Sequence, residues 1–136
     1  MKHIKQILLA IAVTLSLLAP STVQAADATL HKNQSSTKVC LDCATACESC
    51  ATACLNESDI KALVACIQLN RDCADMCSLC AKLMARESTH AAKACALCAT
   101  LCQACADECA KHKTAHCQQC AEACQKCADE CKKMAK

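Results

Sequence analysis

The sequence predicts an all-α protein, an antiparallel up-down-up-down four-helix bundle with a cysteine-lined core. Nineteen cysteines recur mostly at gaps of three and four residues, and this spacing keeps side chains on one face of a supercoiled helix. The chain has no glycine, and its single proline is Pro20, so no strong helix breaker follows that residue. Three short polar breaks separate four runs of cysteines, and short connections place neighbouring helices antiparallel.

The first 25 residues have the features of a secretory signal peptide. Lys2 and Lys5 form a basic head, residues 7–19 are apolar, and Ala25 stands where a signal peptidase cleaves. An uncleaved membrane anchor is the less favoured alternative, because a membrane span needs about 18 apolar residues. We therefore expect a signal peptide at residues 1–25 and export of the mature chain to the periplasm or the extracellular space.

The mature chain is expected to begin with a flexible polar segment, residues 26–36, followed by the bundle domain, residues 37–136. Removing Lys2 and Lys5 leaves 13 basic and 13 acidic residues, so the formal net charge falls from +2 to zero. A neutral chain has no electrostatic attraction to nucleic acid or to anionic membranes. Neither nucleic acid nor, after signal cleavage, a membrane is therefore expected as a partner.

The first two predicted helices span residues 37–55 and 59–86. Ser58 is predicted to cap the second helix, because its hydroxyl can accept a hydrogen bond from a free backbone amide. The second run of cysteines is sparser than the first, since Asn70 and Met84 occupy two of the positions on its cysteine face. The cysteines of these two helices are Cys40, Cys43, Cys47, Cys50, Cys54, Cys66, Cys73, Cys77 and Cys80.

The third and fourth predicted helices span residues 89–111 and 115–135. Each carries five cysteines at gaps of three and four residues, and Met134 follows the last of them at the next position on the same face. Polar side chains occupy the other faces, as expected for helices that pack around one shared axis. The cysteines of these two helices are Cys95, Cys98, Cys102, Cys105, Cys109, Cys117, Cys120, Cys124, Cys127 and Cys131.

Three interpretations account for cysteines on one helix face: disulfide bonding, apolar packing and metal binding. A short secreted chain rich in cysteine is usually a disulfide scaffold, but neighbours three or four residues apart on one helix pair poorly. Cysteine also serves as a small apolar residue, a role that valine or leucine would fill more safely. Side chains at these spacings lie about 5–6 Å apart and can converge on one ion. The pattern therefore favours metal binding, with a disulfide-stapled helical structural protein as the alternative.

The expected metal is Cu(I), bound as multiple ions per chain. Thiolates select Cu(I), zinc or iron–sulfur clusters, and iron–sulfur ligands usually follow other spacings. Replacing a thiol proton with Cu(I) leaves the charge of the core unchanged, whereas zinc with four thiolates leaves a net charge of −2 that is costly to bury. If each ion binds two sulfurs and each sulfur bridges two ions, the capacity is on the order of 15–20 ions. This number indicates storage, with a zinc-binding metallothionein-like protein as the other alternative.

Two stretches of the chain resemble a known family. CADECAKHKTAHCQQCAEACQKCADEC, residues 105–131, resembles the signature of the bacterial copper storage proteins, and RDCADMC, residues 71–77, resembles part of their second helix. The resemblance covers about residues 38–134. It implies Cu(I) held by cysteine thiolates inside a four-helix bundle, and commonly a homo-tetramer of bundles. Exported members carry a twin-arginine signal that this chain lacks, which suggests that copper is acquired outside the cytoplasm from a donor that the sequence does not identify.

The two ends of the predicted bundle carry further candidate ligands. His112 and His116 flank the third connection, at what we name the histidine end, and they are either surface residues of a loop or the place where Cu(I) is taken up. Uptake there is expected because imidazole holds Cu(I) less firmly than thiolate does. The opposite, methionine end carries Met84, Met134 and His90. Thioethers also bind Cu(I), although methionine at this spacing more often fills a core.

The remaining features of the sequence predict packing rather than chemistry. Asn70 lies on the cysteine face and is expected to fix the register of the helices or to contact a metal. Leu69, Met76 and Leu83 recur every seven residues on another face of the second helix, where they form either an oligomer contact or a shielded flank. No credible catalytic constellation is present, so we expect no enzyme activity.

Overall fold

The computed structural model describes residues 21–136 of the chain. The predicted signal peptide lies mainly outside the described residues. Among the helices of residues 21–136, none combines the length and the apolarity that a membrane span requires. The compact unit Lys32–Lys136 contains the helical bundle.

Residues 21–136 form four α-helices, which confirms the all-α prediction. The helices are α1 (Ser21–Cys54), α2 (Val64–Ala85), α3 (Ala91–Cys109) and α4 (Ala115–Met134). A short 3-10 helix, Ile60–Leu63, precedes α2. The bounds of α2, α3 and α4 lie within a few residues of the predicted ones, because the polar breaks correctly located the connections.

The predicted start of the first helix is wrong. The prediction placed it at residue 37, with residues 26–36 as a separate polar segment, whereas α1 begins at Ser21 and includes these residues. Polar side chains do not by themselves end a helix, and residues 26–36 contain neither glycine nor proline. Ser36 is buried, and its Oγ donates to the carboxylate of Glu130 in α4 at 2.7 Å. The turn of α1 around Ser36 is therefore anchored to α4.

Antiparallel packing of α1 against α4 is visible in the order of their sulfur contacts. As residue numbers rise along α1, the numbers of the contacting cysteines fall along α4. The pairs are Cys40–Cys131 at 3.6 Å, Cys47–Cys124 at 3.4 Å and Cys54–Cys117 at 3.9 Å. The steps of seven residues equal two helical turns, so one face of α1 stays in contact with α4 from Cys40 to Cys54.

The same antiparallel order joins α2 to α3. The sulfur pairs are Cys66–Cys109 at 3.5 Å, Cys73–Cys102 at 3.5 Å and Cys80–Cys95 at 3.2 Å. α2 also contacts α4 in parallel order, through Cys66–Cys117 at 4.0 Å and Cys77–Cys127 at 3.7 Å. These contacts define the up-down-up-down arrangement that the short connections predicted.

Leu69, Met76 and Leu83 pack within the chain itself. Met76 and Leu83 are each 8% exposed, and Leu69 is partly buried against the core. Met76 and Leu83 are therefore mostly shielded within the chain, which favours the shielded flank over an oligomer contact. The large apolar side chains at the surface of the bundle include Leu79 and Leu97 instead.

The connection between α1 and α2 is capped by Asp59, so the prediction of Ser58 as the cap is wrong. The side chain of Asp59 accepts a hydrogen bond from the backbone amide of Ala62 at 3.4 Å. Asp and Ser serve equally well at this position, and their neighbouring places in the sequence do not distinguish them. The short 3-10 helix begins at Ile60, one residue later than the predicted helix start at residue 59. The capping position therefore moves from Ser58 to Asp59.

The connection between α2 and α3 contains a residue in the left-handed region of backbone space. Glu87 has φ of 52°, and its amide donates to the carbonyl of Met84 at 3.0 Å. The amide of Ser88 donates to the carbonyl of Leu83 at 2.9 Å. These two bonds form a Schellman motif, in which glycine usually occupies the left-handed position. Because the chain has no glycine, a residue with a Cβ, Glu87, takes this backbone conformation at a cost of about 1–2 kcal/mol.

Replacing Glu87 with glycine is expected to stabilise the metal-free bundle by about 0.5–1 kcal/mol, since relief of the Cβ clash exceeds the entropy that glycine adds to the unfolded chain. The change appears as a melting temperature that is higher by roughly 3–6 °C, measured by circular dichroism. Glu87→Ala is the matched control, because it removes the carboxylate but keeps the Cβ. Equal stabilisation by alanine would show that the left-handed backbone is not the cause.

Candidate metal centre

The core of the bundle consists mainly of thiols. All 19 cysteines are free and buried, and each is at most 1% exposed. We call this set the cysteine column, because its members line the shared axis from Cys54 and Cys117 at one end to Cys80 and Cys95 at the other. Small alanines such as Ala51 and Ala128 complete the core. The helices can therefore approach closely enough for sulfurs of different helices to meet.

Neighbouring sulfurs in the cysteine column converge in groups of four. In several groups, all four Sγ atoms lie within 4.8 Å of one another, and each group combines residues from more than one helix. These groups are Cys40, Cys98, Cys127 and Cys131; Cys43, Cys73, Cys77 and Cys102; Cys43, Cys47, Cys73 and Cys124; and Cys47, Cys105, Cys120 and Cys124. Several cysteines belong to two groups, which is the connectivity that thiolates bridging adjacent ions require.

At the histidine end of the cysteine column, burial favours the neutral form of two thiols. Burial raises the pKa of the Cys66 thiol above its ordinary value, and burial is also the main cause of the raised pKa of Cys54. A thiol with a raised pKa keeps its proton at neutral pH, because the charged thiolate is poorly solvated there. Each Cu(I) that replaces a proton leaves this charge balance unchanged, whereas a divalent ion with four thiolates does not.

Asn70 interrupts the cysteine column with an amide. It is fully buried, and its Nδ2 donates to the carbonyl oxygen of Cys66 at 2.8 Å and lies 3.5 Å from the sulfur of Cys109. Its Oδ1 accepts from the thiols of Cys120 at 2.9 Å and Cys105 at 3.5 Å. The amide thus links α2 to α3 and α4, and a displacement of these helices would leave buried polar groups without partners. This geometry supports the role of Asn70 in helix register.

His116 lies next to the column at the histidine end. Its Nε2 is 3.6 Å from the sulfur of Cys54 and 3.2 Å from the hydroxyl of Thr114. Its ligand atom forms a group with the sulfurs of Cys50, Cys54 and Cys117, all within 4.8 Å of one another. On the other side of the ring, Nδ1 faces the carboxylate of Glu57 at 3.8 Å. The sequence placed His116 and Cys54 at the same end, but it gave no signal for Glu57.

His112 is placed differently from His116. Its Nε2 is buried and makes no hydrogen bond, although the carboxylate of Glu108 lies within ion-pair distance at 3.4 Å. Lys111 donates to Glu108 at 2.6 Å and holds the pKa of that carboxyl below its usual range. The carboxylate beside His112 is therefore charged at neutral pH. Sequence reasoning missed Glu108, although its position four residues before His112 on one helix face was a usable signal.

The methionine end has a thioether inside the core. Met84 is 2% exposed, and Met134 is partly buried and packs against the core. His90, by contrast, is exposed at the start of α3. The structure thus places two thioethers beside the end of the column but leaves the imidazole of this end in solvent.

An antiparallel bundle whose core is a continuous column of free thiols defines a class of helical protein that is built to bind many soft metal ions. The comparison with known families agrees with this class. Residues 29–136 match the copper storage protein family, and the chain belongs to that family.

Solved structures and a curated sequence agree with this assignment. A Cu(I)-bound copper storage protein, BsCsp3 from Bacillus subtilis, is 46% identical, with a TM-score of 0.74 over 77% of this chain and 99% of that chain. A cytosolic copper storage protein from Streptomyces lividans with five coppers is 36% identical, with a TM-score of 0.77 over 80% of this chain and 96% of that chain. The cysteine-rich protein YhjQ of Bacillus subtilis is 47% identical over 79 residues, 58% of this chain and 73% of YhjQ.

The predicted export to the periplasm or the extracellular space is wrong on these comparisons. The Streptomyces lividans relative is a cytosolic copper storage protein. The prediction rested on residues 1–25 alone and used nothing from the bundle. The further expectation that copper is acquired outside the cytoplasm depended on export and falls with it.

Proposed function

We propose that this chain stores Cu(I) by binding many ions to the thiolates of the cysteine column. The observation that carries the proposal is the continuity of the column, in which 19 buried, free thiols meet across all four helices. A catalytic or electron-transfer site needs only a few ligands, so a column of this length indicates a capacity to store many ions. The proposed role is therefore to bind and release ions, without catalysis. Anaerobic titration of the reduced chain with Cu(I), in competition with a chromophoric Cu(I) chelator, tests it.

The proposed ligands are all 19 cysteines, with additional donors at the two ends. At the histidine end, His116 is the stronger addition, because its Nε2 lies 3.6 Å from the Cys54 sulfur. His112 is the proposed outer donor, and its ring lies beside the carboxylate of Glu108. At the methionine end, Met84 and Met134 offer thioethers, which are soft donors that suit Cu(I).

The alternative function is that of a structural protein stapled by disulfide bonds. Chemical analysis of the purified chain distinguishes this alternative from copper storage. Sulfurs of the column lie 3.2 Å or more apart, as in the pair Cys80–Cys95, whereas a disulfide bond requires about 2.05 Å. An odd number of cysteines also prevents complete pairing. Mass spectrometry of the purified protein after thiol alkylation distinguishes the two, because nine native disulfides would leave a single thiol to label.

Cu(I) uptake is expected to proceed through the histidine end. Replacing both His112 and His116 with alanine should slow Cu(I) uptake from a chelator several-fold, and also slow its removal. The reason is that imidazole receives an ion and passes it to Cys54 without retaining it as firmly as thiolate does. The final capacity should hardly change, since the thiols remain. Stopped-flow absorbance of the chelator complex measures both rates.

The matched comparison for this uptake experiment alters the methionine end. A variant with Met84→Leu, His90→Ala and Met134→Leu removes the competing donors while keeping apolar side chains of similar size in the core. Its uptake should match that of the unaltered chain. If only this variant is slow, copper enters from the opposite end of the column.

A further inference from the structure

One group at the histidine end has a different chemistry from the all-cysteine groups deeper in the bundle. It combines three thiols, Cys50, Cys54 and Cys117, with the imidazole of His116, all four ligand atoms within 4.8 Å of one another. The sulfur of Cys117 lies 3.9 Å from each of the other two, and Nε2 of His116 lies 3.6 Å from the Cys54 sulfur. Three cysteines and one histidine are a ligand set that tetrahedral zinc commonly uses.

Three separations within the group correspond to the edges of a zinc tetrahedron. With Zn–S of about 2.3 Å and Zn–N of about 2.0–2.1 Å, two sulfurs lie about 3.8 Å apart, and a sulfur and a nitrogen lie about 3.5 Å apart. The contacts of Cys117 with Cys50 and Cys54, and that of Cys54 with His116, are each within about 0.2 Å of these edges. The other three separations lie within 4.8 Å, so each ligand atom needs to move by only about 1 Å for the group to close around one ion.

A carboxylate lies behind the imidazole, where zinc sites commonly place one. Glu57 faces Nδ1 of His116 at 3.8 Å, while Nε2 points to the sulfurs. At 3.8 Å the carboxylate lies beyond direct hydrogen-bond range, but its negative charge favours the tautomer with the proton on Nδ1, which leaves the lone pair of Nε2 free for the metal. The hydroxyl of Thr114, 3.2 Å from Nε2, can donate to that lone pair until a metal replaces it.

This group differs from the deeper ones in the net charge that it would carry with zinc bound. Zinc with three thiolates and a neutral imidazole carries −1, whereas zinc with four thiolates carries −2. The deeper groups share cysteines and are completely buried, so adjacent −2 centres would repel one another without solvent. At the histidine end, the side chains of His116 and Glu57 are 23% and 38% exposed, and water can solvate the remaining charge. Zinc is therefore favoured at this end and disfavoured along the rest of the column.

We infer that the copper-free chain binds one Zn²⁺ at Cys50, Cys54, Cys117 and His116, with Glu57 as the positioning residue for the imidazole. Binding releases the three thiol protons and changes no oxidation state. Since Cu(I) binds thiolates more strongly than zinc does, incoming copper displaces the zinc and takes over its thiolates. The inference goes beyond copper storage, because it assigns a second metal to the end that we propose for copper uptake.

Titration of the reduced, metal-free chain with Zn²⁺ against a chromophoric zinc chelator tests the inference. One tight equivalent is expected, and Co²⁺ used as a probe should give the visible bands of a tetrahedral site with sulfur-to-cobalt charge transfer. His116→Ala should weaken the site by about tenfold or more, and Glu57→Gln by about tenfold. The exposed residues His31 and Glu48 provide the matched controls, since His31→Ala and Glu48→Gln should leave the zinc affinity unchanged.

A second variant keeps the test valid if His116→Ala disturbs the helix end. His116→Cys retains four ligands, so it should still bind one equivalent and should shift the Co²⁺ charge-transfer bands towards those of a four-thiolate site. Absence of a tight equivalent, several equivalents of equal affinity, or an affinity unaffected by His116→Ala would each overturn the inference. Cu(I) titration of the same samples separates the two proposals, because a full copper capacity without zinc binding rejects only this one.

Discussion

The reduced chain is expected to bind Cu(I) at near parity with its 19 thiols, about 15–20 ions per chain. Each Cu(I) replaces one thiol proton, so the buried column keeps its charge as it fills. Groups that share cysteines, such as the two groups containing Cys43 and Cys73, allow one thiolate to bridge two ions. Neither the charge nor the ligand geometry therefore limits filling before the thiols are used.

Anaerobic titration against a Cu(I) chelator measures this capacity, and cysteine variants calibrate it. Replacing Cys73, Cys77 and Cys102 with serine removes three neighbouring thiols and should lower the capacity by about three ions. Ser49→Ala and Thr100→Ala, both at exposed positions, are the matched controls and should leave the capacity unchanged. Saturation of the unaltered chain at four or five ions would contradict storage and would indicate separate, zinc-like sites.

Loading with copper is expected to raise the melting temperature of the bundle by more than about 15 °C. Ions that bind only the folded chain stabilise it by mass action, by about 4 kcal/mol for each site at a thousandfold excess over Kd. A change of 1 kcal/mol moves the melting temperature by roughly 4–8 °C in a small domain. Because the column holds many ions, even partial loading should reach this shift. Circular dichroism at 222 nm, with and without Cu(I), measures it.

The metal-free form is expected to be helical but only marginally stable. Its core is filled by cysteine and alanine, and Met84 is the largest of its fully buried side chains. Small side chains bury less apolar surface than the aromatic and branched residues of an ordinary core. If the fully reduced, metal-free chain is a random coil, copper drives folding outright, as zinc does in zinc fingers, and the expectation of a preformed column is wrong.

The cysteine spacing predicted the helices and their inward faces because helix geometry is local. Residues three and four apart share a face in any α-helix, so Cys95 to Cys109 had to line one side of α3 wherever that helix packed. The start of α1 was not predictable in this way. Residues 26–36 lack both a breaker and a cysteine, and neither their polarity nor their composition distinguishes a helical extension from a loop.

The sequence predicted which residues belong to the candidate site, but it did not predict which of them contact one another. Membership of the cysteine column and the location of His116 at one end followed from spacing and from short connections. The contact between Glu57 and His116 did not, because these residues are far apart in the sequence and meet only when α1 and α4 pack together. Likewise, the sequence placed Asn70 on the cysteine face, but its bonds to Cys105 and Cys120 depend on the rotation of three helices.

The sequence by itself determined the four helices, their antiparallel order and the thiol chemistry of the core, since each depends on local spacing, connection length and side-chain type. Only the tertiary structure decided which sulfurs meet, how Asn70 joins α2 to α3 and α4, and which histidine faces the column. Those features depend on the axial shift and rotation of one helix against another. Packing of side chains from all four helices sets both quantities at once, and no single stretch of the chain contains that information.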